Sequence, residues 1–311
     1  MAICLTVRRS NYLFSTQWGD PMAWRDVVFH YDGTFEGFLC CVFESYVHKE
    51  FPIAFCGDED CCSLYEVRFI TTETEKWKRV YNSITSRSKA AGDIVRRCFF
   101  TCLPDKEQHL YAFISKLYDE GPSFIRNPAD EVYHPIAKAL RHMNGELEKL
   151  RGFVRFSDYS GVLGAEIEPK NRVLPLLRYH FCARYASESF FIYDRTHKEL
   201  LVYAKGHFRI MQVDSLQLAL PGDEELHFRM LWRRFFNAIS IEERYNPRCQ
   251  NTFLPKRYRG TMTEFLPQEE CVHSSIPPSI DAALPNCAAQ GGIPAPVTHQ
   301  ESAPSAAGCG I

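Results

Sequence analysis

One stretch of the 311 residues narrows the fold more than any other: Arg151 to Asp194, RGFVRFSDYSGVLGAEIEPKNRVLPLLRYHFCARYASESFFIYD. In Gly152-Phe153-Val154-Arg155-Phe156, Phe153 and Arg155 alternate with Val154 and Phe156, the period of two that predicts a strand. Asp158-Tyr159-Ser160-Gly161 supplies turn residues, with Gly161 free to adopt a positive φ. Leu163 to Ile167 then returns as a second strand, so an antiparallel hairpin is expected. Glu168-Pro169-Lys170-Asn171 breaks the strand ahead of a helix carrying Val173, Leu176, Leu177, Phe181 and Tyr185 at helical spacing. Phe190 to Asp194 and Leu200 to Tyr203 read as third and fourth strands.

The flanks complete an α+β chain. Val27 to Tyr31 is a strand, Asp32-Gly33-Thr34 a turn, and Thr34 an N-cap for a helix with Phe35, Phe38, Leu39, Val42, Phe43 and Tyr46 on one face. Phe51 to Phe55 and Leu64 to Ile70 read as strands around an acidic, cysteine-rich loop. From Glu73 to Leu150 the pattern is helical: three short stripes, the third ended by Gly121-Pro122, and then a longer helix from about Pro128. After a break at 218–222, Asp223-Glu224-Glu225 opens a helix whose apolar stripe is Phe228, Leu231, Trp232, Phe235 and Ile239, with Arg229, Arg233 and Arg234 off it. The expected architecture is an N-terminal β–α–β segment, a helical middle, and a hairpin/helix unit capped by this C-terminal helix. Residues 1–26 carry little pattern. Residues 27–266 form the folded part, as one domain or as two lobes (27–150 and 151–266), and 267–311, rich in Pro, Gly and Ala, reads as a disordered tail.

Composition removes several function classes. With a net charge of −2 and 45% hydrophobic residues, the chain has a core but is no polycation, so any nucleic-acid surface must be a local patch. No run of about 18 apolar residues exists to span a membrane, and the N-terminus lacks the order of a secretory signal, so a cytoplasmic location is expected. The thirteen cysteines are odd in number and scattered, which predicts reduced thiols and no metal site. No Walker loop, strand-borne G-x-G-x-x-G or G-x-S-x-G elbow occurs, which disfavours an NTPase, a Rossmann dehydrogenase and an α/β-hydrolase. His134, His142, His180 and His207 form no metal-ligand spacing.

Two constellations remain. Arg229 to Arg259 holds eight Lys or Arg against Glu242 and Glu243. Convergent cations bind phosphates, and Tyr258 or Tyr245 offers a ring for stacking on a base. The expected nucleic-acid set is Arg229, Arg233, Arg234, Gln250, Lys256, Arg257, Tyr258 and Arg259; the bland alternative is a solvated helix face. For acid–base chemistry the candidates are Asp32, Glu36 and Glu146, with Glu44, Glu166 and Glu168 as further carboxylates, although carboxylates are common on any surface.

The segments Tyr31-Asp-Gly-Thr-Phe-Glu-Gly-Phe38, Val42-Phe-Glu-Ser-Tyr46, Gly152-Phe-Val-Arg-Phe156, Ala165-Glu-Ile-Glu-Pro169, Leu174-Pro-Leu-Leu177, Ile192-Tyr-Asp-Arg195, Asn246-Pro-Arg-Cys-Gln250 and Pro255-Lys-Arg-Tyr258 follow in order. Between Val27 and Glu264 the chain therefore resembles an uncharacterised bacterial family labelled "probable DNA metabolism protein". The resemblance implies a role in DNA repair or modification beside a radical S-adenosylmethionine (radical SAM) protein, and some members are fused to a uracil-DNA glycosylase-like domain. On that footing the expected partners are DNA, the radical SAM protein and a glycosylase-like protein. S-adenosylmethionine and an iron–sulfur cluster would belong to the partner, with no cofactor in this chain. The family brings no established reaction, and past Glu264 this chain shows no Gly-Glu-Ala-Pro-Gly glycosylase signature. The readings that follow are a DNA-binding accessory, an enzyme acting directly on DNA, and a protein-only scaffold.

Overall fold

The computed structural model describes residues 24–57, 63–218 and 221–266. Within them the chain is mixed α and β, with two sheets and two hydrophobic clusters. The expected N-terminal β–α–β segment is present. Strand β1 (Arg25–His30) buries the run Val27-Val28-Phe29, and Thr34 caps helix α1 (Phe35–His48) by accepting the Gly37 N–H at 2.9 Å. Strand β2 (Glu50–Cys56) returns parallel to β1. Strand β3 (Glu66–Phe69) pairs parallel on its other side, giving the order β2-β1-β3. The central strand β1 is covered on both faces, as its continuous apolar run Val27-Val28-Phe29 allows.

Helices α2 (Thr74–Arg87), α3 (Lys89–Cys98) and α4 (Lys106–Glu120) pack their stripes on this sheet through Val80, Ile84, Val95, Leu110, Phe113 and Leu117. Helix α5 (Tyr133–Phe153) starts later than Pro128, where Asp130 Oδ1 accepts the N–H groups of Val132 and Tyr133 at 3.1 Å. It gives Ile136 to the first hydrophobic cluster and Met143, Leu147 and Leu150 to the second.

The expected strand Gly152 to Phe156 is corrected. Helix α5 runs through Gly152 and Phe153, and the Val154 N–H closes its last turn on the Leu150 carbonyl at 3.1 Å. The short alternation yields to the i, i+3 stripe of Leu147 and Leu150 that precedes it. The hairpin exists with its first strand starting five residues further on, as β4 (Ser157–Tyr159) against β5 (Val162–Ile167). Its two-residue loop is Ser160-Gly161, at φ 56° and 88°, the pair of positive values that matches strand twist. Helix α6 (Leu174–Arg184) then carries the chain over to β6 (Phe190–Asp194), which pairs parallel to β5, so the sheet is mixed and not purely antiparallel. Strands β7 (Glu199–Ala204) and β8 (His207–Gln212) finish the order β4-β5-β6-β7-β8. Strand β8 carries little alternation; its hairpin with β7 repeats the same loop device at Lys205-Gly206.

Helix α7 (Asp223–Ala238) forms where expected but the wrong way round. None of its residues is buried, and the stripe Phe228, Leu231, Trp232, Phe235 and Ile239 faces solvent. Its polar side meets the fold instead: Glu225 Oε2 accepts the Asp158 N–H at 3.0 Å and Arg229 donates to Ser157 Oγ at 2.7 Å. The chain continues through helix α8 (Pro247–Phe253) and two 3-10 segments, Lys256–Thr261 and Thr263–Phe265. Residues 1–23 and 267–311, read as patternless and as a disordered tail, lie outside the described residues.

Gly164 in β5 marks a close approach. A Cβ there would lie 2.3 Å from Phe191 Cζ and 2.7 Å from Tyr159 Cε2, two rings that meet over the glycine at 5.8 Å. Gly164→Ala is expected to lower stability by about 1–3 kcal/mol through overpacking, read as a shift of the urea midpoint with an unchanged slope.

Candidate nucleic-acid interface

The expected cations divide into those that hold the fold and those that face water. Arg229 and Arg233, one turn apart, both point inward. Arg229 Nε donates to Glu225 Oε1 at 2.8 Å, and Arg233 Nε donates to the Thr263 carbonyl at 2.9 Å. Arg259 donates to Asn251 Oδ1 at 2.9 Å and the Leu254 carbonyl at 3.0 Å, and lies over the Phe265 ring. Trp232 Nε1 donates to Glu264 Oε2 at 3.2 Å, Arg155 donates to Glu264 Oε1 at 2.9 Å, and Phe236 meets Phe265 edge-on. These bonds tie α7, α8 and the two 3-10 segments into one body.

Arg257 belongs to a second polar cluster. The Glu146 carboxylate, fully buried in α5, accepts the Lys170 N–H at 3.1 Å, the Asn171 N–H at 2.9 Å and the Asn171 amide at 2.6 Å. It also takes the Arg257 guanidinium at 2.8 Å. Asn171 reaches His142 Nδ1 at 3.1 Å with its amide nitrogen and accepts the Cys102 N–H at 3.0 Å with its oxygen. Burial alone would raise the Glu146 pKa; the two backbone donors, the Asn171 amide and Arg257 outweigh it and hold the carboxyl below its ordinary value. Arg257 also bonds the Tyr258 hydroxyl. Tyr258 is 5% exposed and packs on Phe153, so it is core and no platform for a base. Burial, then Glu146, raises its pKa.

Arg234 and Lys256 remain exposed and, among the described residues, without an ion pair, while Gln250 is half-buried in α8. Arg244 and Arg248, outside the expected set, are exposed in the same way. So are the rings of Tyr245, at 73%, and Phe253, at 71%. Asn246-Pro247 carried the signal for these. Asn246 Oδ1 caps α8 by accepting the Cys249 N–H at 3.0 Å, and Pro247 fits the first turn. Reading that helix start from the sequence would have turned Arg248 outward.

The candidate catalytic carboxylates lie on different elements, Asp32 and Glu36 at the start of α1 and Glu146 in α5. Asp32, at the end of β1, accepts the Thr34 N–H and hydroxyl at 2.9 and 2.6 Å and the Thr72 hydroxyl at 2.7 Å. Burial would raise its pKa, but these bonds lower it. Glu36 lies in the first turn of α1, and Glu146 is locked in the cluster above. Sequence reading missed Asp194, fully buried, which accepts the Thr196 and His197 N–H groups at 3.0 Å and sits 2.7 Å from His197 Nδ1. It missed Glu199 too, buried and gripped by Arg172 at 2.5 Å. Among the described residues no three His, Cys, Asp or Glu side chains are grouped to hold a metal. Cys56 is disulfide-bonded, which corrects the expectation of reduced thiols throughout; Cys61 and Cys62 lie outside the described residues. Cys40, Cys41 and Cys98 are free and buried. No described helix is long and apolar enough to cross a membrane.

The segment from α4 through the last 3-10 turn, with both polar clusters, is what defines the class. Residues 104–264 match a family described as a domain of unknown function, DUF4130, and the chain belongs to that family. No curated protein and no solved structure matches it.

Arg257→Ala is expected to lower stability by about 1–3 kcal/mol. It leaves a buried carboxylate short of one charge partner while three hydrogen bonds remain, and Arg257 is itself 32% exposed. Because the Glu146 pKa is lowered in the folded state, its contribution is complete above the ordinary value of 4.5 and fades as pH falls below it. The stability gap between the wild type and Glu146→Gln should therefore be constant near neutrality and narrow toward about pH 3, as read by chemical denaturation at several pH values.

Proposed function

We propose that the protein is a nucleic-acid-binding accessory of DNA repair or modification that acts with a radical SAM partner. The observation that carries this reading is the set of exposed cations Arg234, Arg248 and Lys256, without an ion pair among the described residues, on the body formed by α7, α8 and the 3-10 segments. The chain's net charge is only −2, so a local field is what would attract a polyanion. Phosphate contacts from such side chains position a duplex or strand without reading its sequence. S-adenosylmethionine and the cluster that cleaves it would be brought by the partner, and a glycosylase-like protein is a further candidate in the same assembly. The resemblance to the DNA-metabolism family supplies the biological setting; the exposed cations supply the contact.

The residues of the test follow from the geometry. Arg257 and Tyr258 are excluded because changing them disturbs the Glu146 cluster. Arg234→Ala, Arg248→Ala and Lys256→Ala combined should weaken binding to labelled DNA in fluorescence anisotropy. The slope of log affinity against log salt should shrink by about one for each phosphate that the triple variant no longer neutralises. A wild-type protein that shows no binding at low salt, or a triple variant with unchanged slope, would transfer the proposal to a protein-only scaffold.

A further inference from the structure

The apolar stripe of α7 faces solvent, and only Trp232, at its edge, reaches the fold among the described residues, through Glu264 and Arg155. Phe228, Trp232 and Phe235 recur at i, i+4 and i+7, about 10 Å along one side of the helix. Trp232 and Phe235 lie 5.8 Å apart with ring planes inclined by 33°. Tyr245, between α7 and α8, and Phe253, at the end of α8, are the two most exposed rings of the segment. The same segment exposes four cations, Arg234 off the stripe of α7 and Arg244, Arg248 and Lys256 after it in the chain, and Glu243 is the one exposed acid described between Arg234 and Lys256. Rings and arginines also occur at protein interfaces, but seating a protein here would desolvate four cations for which Glu243 is the one exposed counter-charge described between Arg234 and Lys256. Leu231 and Ile239 complete the stripe as aliphatic spacers.

A polyanion that also offers flat apolar faces satisfies both halves of this surface. In a duplex those faces are hidden in the stack and only base edges and phosphates are presented, so a duplex uses the cations and leaves the rings in water. An unpaired strand presents both, since each base has a face to stack and each link a phosphate to neutralise. We infer that α7, α8 and the loop between them bind single-stranded DNA, with Tyr245, Phe253 and the Trp232 face stacking on unpaired bases and Arg234, Arg244, Arg248 and Lys256 on the phosphates. The inference rests on the nucleic-acid reading above and specifies the form of DNA that this surface takes. Trp232 is held for the task by its indole N–H bond to Glu264 and by the Arg155 guanidinium 5.8 Å from its ring, so the ring is oriented before any strand arrives.

The experiment is anisotropy of the full chain with a labelled mixed-sequence 20-mer, single-stranded and as a blunt duplex, at matched salt. It is repeated with Tyr245→Ala/Phe253→Ala, both exposed positions whose removal leaves the core intact. The expected result is single-strand binding at least about tenfold tighter than duplex, a loss of about tenfold or more per ring removed, and quenching of Trp fluorescence by the strand that disappears in Trp232→Phe. Equal affinity for the two forms, or an unchanged affinity in the double variant, would overturn the single-strand inference while leaving nucleic-acid binding in place. Absence of binding to either form at low salt would remove the parent reading and this one with it. A mass in solution that rises with concentration and falls back to the monomer in Tyr245→Ala/Phe253→Ala or Leu231→Glu, without strand binding, would assign the face to protein contact and overturn the inference.

Discussion

The buried Glu146 carboxylate is the interaction on which the second half of the molecule depends. An unpaired carboxylate in this position would be driven to take up a proton, because burial penalises its charge more than any single neighbour offsets it. Four donors from three places solve the problem together: the backbone at 170–171, the Asn171 side chain and Arg257. Each donor comes from a segment with little other means of fixing its position. The 168–171 loop must break strand β5 and start helix α6. The Lys256–Thr261 turn carries only Tyr258 into the second hydrophobic cluster. The charge thus acts as a specifying contact, fixing where α5, the loop and the C-terminal turn meet, while the apolar residues supply most of the favourable free energy of burial.

That constraint propagates to the surface. Once the 3-10 turn is pinned by Arg257 and Tyr258, Arg259 can reach back to Asn251 and Leu254, and Phe265 comes to rest against Phe236 of α7. Helix α7 is then held by polar contacts on one side, Glu225 and Arg229 at β4 and Arg233 at Thr263, and by Trp232, which reaches Glu264 from the edge of the apolar stripe. With the polar side committed, the apolar stripe has nowhere to go but outward. An amphipathic helix that turns its charges inward and its rings outward leaves apolar area in water, where each square ångström forgoes about 25 cal/mol of burial. Large exposed patches of this kind mark interaction sites.

The sequence disclosed those parts of the fold whose signals were local and long. The cap at Thr34, the apolar run Val27–Phe29 of β1, the break at Gly121-Pro122 and the acidic start of α7 each follow from residues within one turn of one another, and each forms as expected. The alternation from Gly152 to Phe156 covered five residues, too few to compete with a helix already running from Tyr133. Parallel pairing of β5 with β6 has no local signature either; it depends on α6 being long enough to cross over, which shows only as Val173 to Tyr185 packing on one face. At the interface the helical stripe of α7 was visible, but its orientation was not. Period alone says that a helix has an apolar side and is silent on whether that side meets the core or the solvent.

The same limit governs the basic segment. Eight cations between Arg229 and Arg259 suggest a single electropositive surface when read as a string, yet folding divides them. Arg229, Arg233, Arg257 and Arg259 are used on carboxylates, a hydroxyl and carbonyls within the chain, and these are bonds that a planar guanidinium with several donors is suited to make. Arg234, Arg244, Arg248 and Lys256 are left facing water. Removing a cation of the first group changes the fold's own hydrogen bonding before it changes any binding, and removing one of the second group changes only the field outside. Composition counts both groups alike. A substitution at Arg257 that abolished DNA binding would therefore say little about where the DNA lies. The same effect at Arg248, whose side chain makes no internal bond among the described residues, would locate it.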